Sequence, residues 1–345
     1  MKRPFTLSTA IFLATVQLAS AAQADEILVS SGGGALQDAQ REAFFKPTEK
    51  ALNIKINEST ATGLQDVRVQ VDSGSVSWDI VDISAEECAI GSKQGLFEPI
   101  DYNIVKADGI DPSMVHKDWI GQFYYSTVMA WNTDTVGKNG VKPKDWADFY
   151  DVEKFPGTRS VYDHPRGNLE IALLADGVDP AKLYPLDVDR AFKKLATLKP
   201  SIGIWWNSGA QSAQLIKDGE ADFIQIWNGR LAAAMRDGAK AEFTYNQGLL
   251  MADCFLIPKG APHKDLAMKA LAMFMSPEQQ ATFAKHIDYG PVNAKAFETG
   301  ILDDADRKRV NSSPENAKSQ VMVSDEWWGE HGTEMIERWQ NFKQQ

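Results

Sequence analysis

Cysteine is nearly missing from this chain. Its 345 residues include two, Cys88 and Cys254, which excludes a scaffold built on disulfides. Histidine is sparse as well. The five histidines (116, 164, 263, 286 and 331) stand singly, so none shares the close spacing of a zinc site, and each reads as a surface or loop residue. Basic charge is in deficit: 36 Lys+Arg face 47 Asp+Glu, a net −11, without the basic footprint that nucleic-acid binding requires. Past the first residues no apolar run approaches the ~20 residues that span a bilayer. There is no internal repeat, no low-complexity tract and no Pro/Gly/Ser-rich linker. The remaining composition, 43% hydrophobic and 24% charged, is that of a globular protein. At a prior of roughly 150 residues per domain, the length suggests two compact units.

The motifs of common enzyme classes are absent too. The segment Gly203–Gly209 carries a serine and glycines but not the G-x-S-x-G of a nucleophile elbow. No P-loop and no H-E-x-x-H occurs. Ser31-Gly32-Gly33-Gly34 follows a predicted strand and precedes a predicted helix. It looks like a truncated dinucleotide loop without the G-x-G-x-x-G spacing, though such a helix start can still turn backbone N–H groups toward an anion. The expectation is a protein without catalytic residues, cofactor or metal.

What is present begins with an export signal. Met1-Lys2-Arg3 is basic, Leu7–Leu18 is an apolar run of 12, and Ala22-Gln23-Ala24 precedes Asp25. This is the layout of a secretory signal peptide over 1–24. A site after Ala21 is possible, but Ala24 fits better. Cleavage there removes Lys2 and Arg3 and no acid, leaving 321 residues at net −13. The expected product is an exported, periplasmic protein. The other surplus is tryptophan, ten residues, which need either a core or something to stack on.

Downstream the chain alternates strands and helices. Strands are predicted at Ile27–Ser30, Ile54–Asn57, Asp79–Ile83, Phe123–Asn132, Ser160–Tyr162, Ile202–Trp206, Phe223–Ile226, Phe243–Tyr245 and, extended, Leu249–Ile257. Helices are predicted between them, at Leu36–Leu52, Leu64–Val71, Glu86–Gln94, Leu169–Ala175, Val188–Leu198 and Lys264–Met275 among others, with Glu326–Phe342 last. This order predicts an α/β protein with mainly parallel strands.

A series of segments resembles the extracellular solute-binding proteins of ABC importers, in particular their spermidine/putrescine-binding branch. The segments are WDIVDIS…GLFEPID (Trp78 to Asp101), STVMAWNTDTV (Ser126 to Val136), KPKDWADFYD (Lys142 to Asp151), DGEADFIQIWNGR (Asp218 to Arg230), the long CFLIPKGAPHKD…FAK stretch (Cys254 to Lys285) and YGPVNAKA (Tyr289 to Ala296). Their order and spacing carry the resemblance across the mature chain. It implies a two-lobed periplasmic binding protein fold of type II, each lobe a mainly parallel sheet flanked by helices, with crossing strands as the hinge. The expected lobes are 25–131 with about 250–300, and 132–249 with about 301–345. The resemblance also implies a monomer that closes on a small solute and docks on a membrane permease.

In open α/β sheets ligands sit outside the carboxyl ends of strands. That rule selects the loops holding Ser31, Gly32, Gly33, Ser84, Glu86, Asp163, Arg166, Trp205, Trp206, Trp227, Arg230, Asp253 and Tyr289. The resemblance assigns Trp227 to the wall of an amine box, Asp253 to its central carboxylate, and Ser84 and Asp163 to the cleft. A carboxylate beside aromatic faces suits an ammonium group. Asp253 also interrupts an apolar run, Leu249 to Ile257, where an unpaired acid costs several kcal/mol. Two departures from the polyamine branch concern charge. Arg230 follows Trp227-Asn228-Gly229 where a small residue is usual, and Arg166 falls near an expected acid. With the glycine-rich first loop, they favour a ligand carrying one carboxylate and one ammonium, an ω-amino acid such as 4-aminobutyrate. A polyamine remains the alternative, since Glu86 and Glu87 offer further negative charge, and a secreted enzyme on the same fold is the remote one.

Overall fold

The computed structural model describes residues 25–60 and 63–344. The signal-peptide reading of residues 1–24 falls outside them. The first lobe starts with β1 (Glu26–Ser31), followed by one long helical segment made of α1 (Gly34–Gln40), a π-turn (Arg41–Phe45) and α2 (Lys46–Leu52). The π-turn turns Phe44 and Phe45 inward, where Phe44 stacks on Phe274 and Phe283. Next come β2 (Lys55–Thr60), α3 (Leu64–Ser73), β3 (Ile80–Ser84) and α4 (Ala85–Lys93). The long strand β4 (Trp119–Asn132) leaves this lobe. The second lobe adds α5 (Trp146–Tyr150), β5 (Arg159–Tyr162), α6 (Pro165–Ala175), α7 (Val188–Leu198), β6 (Ile202–Trp206), α8 (Gly209–Lys217), β7 (Phe223–Trp227) and α9 (Asn228–Arg236). Strand β8 (Ala241–Leu256) returns to the first lobe, which continues with α10 (Lys264–Phe274), α11 (Pro277–His286) and β9 (Gly290–Pro291). The short α12 (Asp304–Arg309) and α13 (Pro314–Ala317), β10 (Val321–Met322) and the 20-residue α14 (Asp325–Gln344) finish the chain.

The strands run in the order β2-β1-β3-β8-β4-β7-β5-β6, with β9 on β4 and β10 on β8. Strands β4 and β8 are antiparallel and shared by both lobes. Trp119–Thr127 pairs with Leu249–Leu256 on the first-lobe side, and Met129–Asn132 with Ala241–Thr244 on the second. Between the two stretches the register breaks, leaving Tyr245–Gly248 out of the ladder, with Gln247 at φ +58°. Here the sequence suggests two strands, Phe243–Tyr245 and Leu249–Ile257. The structure makes one strand with a bulge, because Trp146 straps it: its indole N–H donates to the Gln247 carbonyl at 2.8 Å. The apolar core divides at the same place. One cluster holds residues from Ile27 to Tyr124 and most of those from Leu250 to Val292; two others hold Val128 to Leu249 with Met251 and the C-terminal Trp327, Trp328, Trp339 and Phe342, and a small fourth gathers Ala281, Ala284, Ala296, Leu302 and Val310. A waist of three strands, β4, β8 and β10, is the physical basis for a hinge.

Cys88 and Cys254 form a disulfide that ties α4 to β8 across 166 residues of sequence. Closing so long a loop restricts the unfolded chain, an effect of about 2–5 kcal/mol. The Cys88→Ser/Cys254→Ser protein is therefore expected to melt roughly 3–8 °C below the oxidised parent. Differential scanning calorimetry with and without reductant checks it.

Candidate functional site

Asp253 sits on β8 directly opposite Ser84 of β3 and Phe123 of β4. That places it at the first-lobe end of the waist, facing the second lobe. Among the described residues it makes no ion pair. Its carboxyl is pushed up to about 7, chiefly by burial; Arg166 opposes the rise most, Glu87 and Asp325 add to it, and Arg230 opposes it. Behind it lies a second buried acid, Asp82, which accepts from Gln40 at 2.7 Å and from Ser31 at 3.3 Å. With its amide turned nitrogen-inward, Gln122 donates to Asp82 at 2.8 Å. Burial first, and then the neighbouring Asp253, hold Asp82 well above the usual carboxylate range.

Arg230 comes from the opposite lobe, in the first turn of α9. Sequence pattern did not reveal this helix, because it starts at Asn228-Gly229 with no side-chain cap. The arginine side chain runs past Gly209, where a Cβ would come within 2.7 Å of Nε and 3.0 Å of Cγ, and reaches Gly34 of the first lobe, 3.5 Å from Nη1 by the same measure. The glycine-rich turn Gly32-Gly33-Gly34 leaves this space open. Among the described residues Arg230 pairs with no carboxylate, and its buried Nε has no acceptor. The Tyr289 hydroxyl faces its guanidinium.

Aromatic rings wall the space between them. Trp227 meets Tyr162 edge-on at 5.5 Å and Tyr125 at 6.0 Å, and Tyr125 lies 6.1 Å from Tyr289. Tyr289 is itself braced by stacking on Phe123 at 4.9 Å. Tyr125 and Tyr162 escape sequence reasoning because each lies inside a β-branched and aromatic strand that reads as core. Their one signal is position: Tyr162 ends β5, and Tyr125 falls where β4 crosses the waist.

Several expected site residues have other partners. Trp206 is fully buried, with its indole N–H on the Gln225 carbonyl. Trp205, on the other face of β6, packs edge-on against Trp339. Strand alternation turns the two apart, and only Trp206 touches the box, as a support behind Trp227. Asp163 accepts from the Trp339 indole at 2.9 Å and pairs with Lys343, so it holds the end of α14. The Ser84 hydroxyl caps α4: it accepts from the Glu87 N–H at 3.3 Å and donates to the Glu87 carboxylate at 3.0 Å. Glu87 in turn takes the Leu64 N–H at 2.9 Å and caps α3. Ser31 is committed to Gln40 and Asp82. Arg166 is paired with Glu86 at 3.1 Å and with Asp325. Of the two arginines the sequence places at the cleft, Arg230 is therefore the one without a carboxylate partner among the described residues. Among the described residues no three His, Cys, Asp or Glu side chains gather as a metal site.

Two lobes on a three-strand waist thus face each other with an acid on one and a guanidinium on the other that, among the described residues, have no ion-pair partner. Residues 43–309 match the family described as bacterial extracellular solute-binding protein, and the chain belongs to that family. It is the substrate-binding component of an ABC transporter and not an enzyme; such components bind a small solute and deliver it to a permease. An ABC transporter substrate-binding protein from Bradyrhizobium japonicum is 43% identical, superposes with a TM-score of 0.89 and covers 92% of this chain and 99% of its own. A gamma-aminobutyric acid-binding protein from Pseudomonas aeruginosa is 34% identical over 93% of this chain and 91% of its own. An Agrobacterium tumefaciens B6 binding protein solved with glucopine is 38% identical, with a TM-score of 0.86 and coverage of 92% and 99%.

Proposed function

We propose that this protein captures a zwitterionic ω-amino acid, 4-aminobutyrate or a close analogue, in the periplasm and hands it to its permease as a monomer. The carrying observation is the charge arrangement: Asp253 and Arg230 face one cleft from opposite lobes, and among the described residues neither has an ion-pair partner. A ligand with an ammonium at one end and a carboxylate at the other satisfies both and bridges the lobes, so it binds the closed form in preference to the open one. Arg230 presents the planar fork suited to a carboxylate. Asp253 with Trp227, Tyr125 and Tyr162 presents negative charge and ring faces to the ammonium. The P. aeruginosa relative that binds gamma-aminobutyric acid supports this reading. A polyamine would bring a second ammonium toward Arg230. At ~4 Å and an effective dielectric near 20, two like charges repel by about 4 kcal/mol. The Cys88–Cys254 disulfide supports an oxidising compartment such as the periplasm.

Calorimetric titration with 4-aminobutyrate, putrescine, spermidine, glucopine and a neutral sugar tests the proposal. Tight binding of 4-aminobutyrate with weak or no binding of the diamine is expected. Tight binding of the sugar alone, or of polyamines alone, overturns it.

The acid's raised pKa gives a second check. An ammonium needs Asp253 ionised, and burial holds that carboxyl at about 7. Protons therefore compete with the ligand as pH falls through 7, and affinity is expected to drop by up to about tenfold per pH unit below it. Near pH 7 about half a proton should be released per ligand bound. Calorimetry in buffers of different ionisation enthalpy reads that number, and an affinity flat from pH 8 to 5.5 contradicts it.

A further inference from the structure

The ligand box leaves Arg166 unexplained. This arginine stands at the start of α6 on the second lobe, while Glu86 stands in the first turn of α4 on the first lobe. Their side chains meet at 3.1 Å with 6% and 10% of their surfaces exposed. Arg166 is also paired with Asp325, the first residue of α14. The lobes are joined through the strands of the waist, so a contact between α4 and α6 exists only while the lobes are together.

We propose that Glu86, Arg166 and Asp325 form an interlobe clamp that stabilises the closed form and sets the strength of capture for any ligand. Arg166 is prepared for this on its own lobe. The helix is broken at Arg166 and Gly167, the latter at φ +89°. The broken turn is held by His164 Nδ1, which accepts the Arg166 N–H at 3.1 Å, and by Glu170, which accepts the Gly167 N–H at 2.8 Å. Glu170 also takes the Tyr184 hydroxyl and the Trp328 indole N–H, both at 2.6 Å, which fastens α14 to α6. Arg166 and Asp325 are thus a standing pair on the second lobe, and Glu86 is the group that arrives. The surface beside it is shaped for close approach. Helix α14 lies along α4 with Gly332 toward Glu86, where a Cβ would come within 2.9 Å of Oε1, and Gly329 toward Ala89. Lys93 and Glu330 add an outer pair at 3.7 Å. Because Arg166 keeps Asp325 when Glu86 loses its charge, Glu86→Gln leaves no arginine unpaired and should fold.

The test uses two variants, Glu86→Gln and Gly332→Val, the second wedging α14 away from Glu86 without removing a charge. A dye on each lobe reports the closed fraction of the unliganded protein by energy transfer, a readout that does not depend on which ligand is right. Calorimetry and stopped flow then give affinity and dissociation rate for 4-aminobutyrate and one weaker ligand. Both variants are expected to lower the unliganded closed fraction and to weaken both ligands by a common factor of about 5–30, mainly through faster dissociation. A closed fraction and affinities equal to the parent's overturn the clamp. So does a changed ratio between the two ligands in Glu86→Gln, which would make Glu86 a ligand contact.

Discussion

Asp253→Asn is expected to abolish amine capture while leaving the fold at least as stable. Removing one partner of a buried, hydrogen-bonded charge pair costs about 2–5 kcal/mol of binding, or roughly 30-fold to several thousandfold in Kd. In the unliganded protein the same carboxylate is a liability. Its pKa is raised from the ordinary acid range to about 7, so its ionised form is disfavoured in the folded state. An acid with a raised folded pKa loses the fold stability as pH climbs from its unfolded value, near 4, up to 7. The asparagine carries no such burden. At pH 8 the variant should therefore match or exceed the parent in melting temperature without ligand, and lose most of the shift that ligand gives the parent. Thermal melts with and without 4-aminobutyrate read both effects. A variant that melts far lower and still binds would make Asp253 a structural residue.

The second large effect is a change of preference. Arg230→Met keeps an unbranched stem past Gly209 and removes the charge that reaches Gly34. The carboxylate of 4-aminobutyrate then has no partner, and its affinity should fall by at least about 30-fold. A diamine gains by the same change, because the repelling guanidinium is gone. Putrescine is expected to bind Arg230→Met tighter than it binds the parent, with Asp253 and the Trp227–Tyr125–Tyr162 box still holding one ammonium. Competition titrations of the two ligands on both proteins measure the reversal. Unchanged preference would place the arginine outside the ligand's reach.

How much of this was legible beforehand depends on what kind of residue carries it. The alternation of short apolar strands and amphipathic helices is local, and β6 and α7 fall on their predicted bounds, Ile202–Trp206 and Val188–Leu198. Asp253 was legible because an acid inside an apolar strand is costly to bury unless a partner or ligand meets its charge. The direction in which a polar side chain turns was not legible. Asp163, Glu86 and Arg166 lie at strand ends and helix starts as the site rule requires. Their charges, however, are taken up by Lys343, Asp325 and each other, partners up to 180 residues away. Trp205 and Trp206 show the same limit: adjacent residues of one strand face opposite ways, and the C-terminal helix covers one of them. Tyr125 and Tyr162 were hidden because an aromatic residue in a core-like strand has the same local pattern whether it faces core or cleft. The clamp needs α14 folded back onto α4, which no local pattern reports.

The central claim is that both charged ends of the ligand are read, one by each lobe. Its most direct test is calorimetric titration of the parent protein with 4-aminobutyrate beside butylamine and butyrate, each lacking one end. 4-Aminobutyrate is expected to bind at least about 30-fold tighter than either half-ligand, since each lost charge pair is worth about 2 kcal/mol or more. Butylamine binding as tightly as 4-aminobutyrate would contradict it, because the carboxylate, and Arg230 with it, would then contribute nothing.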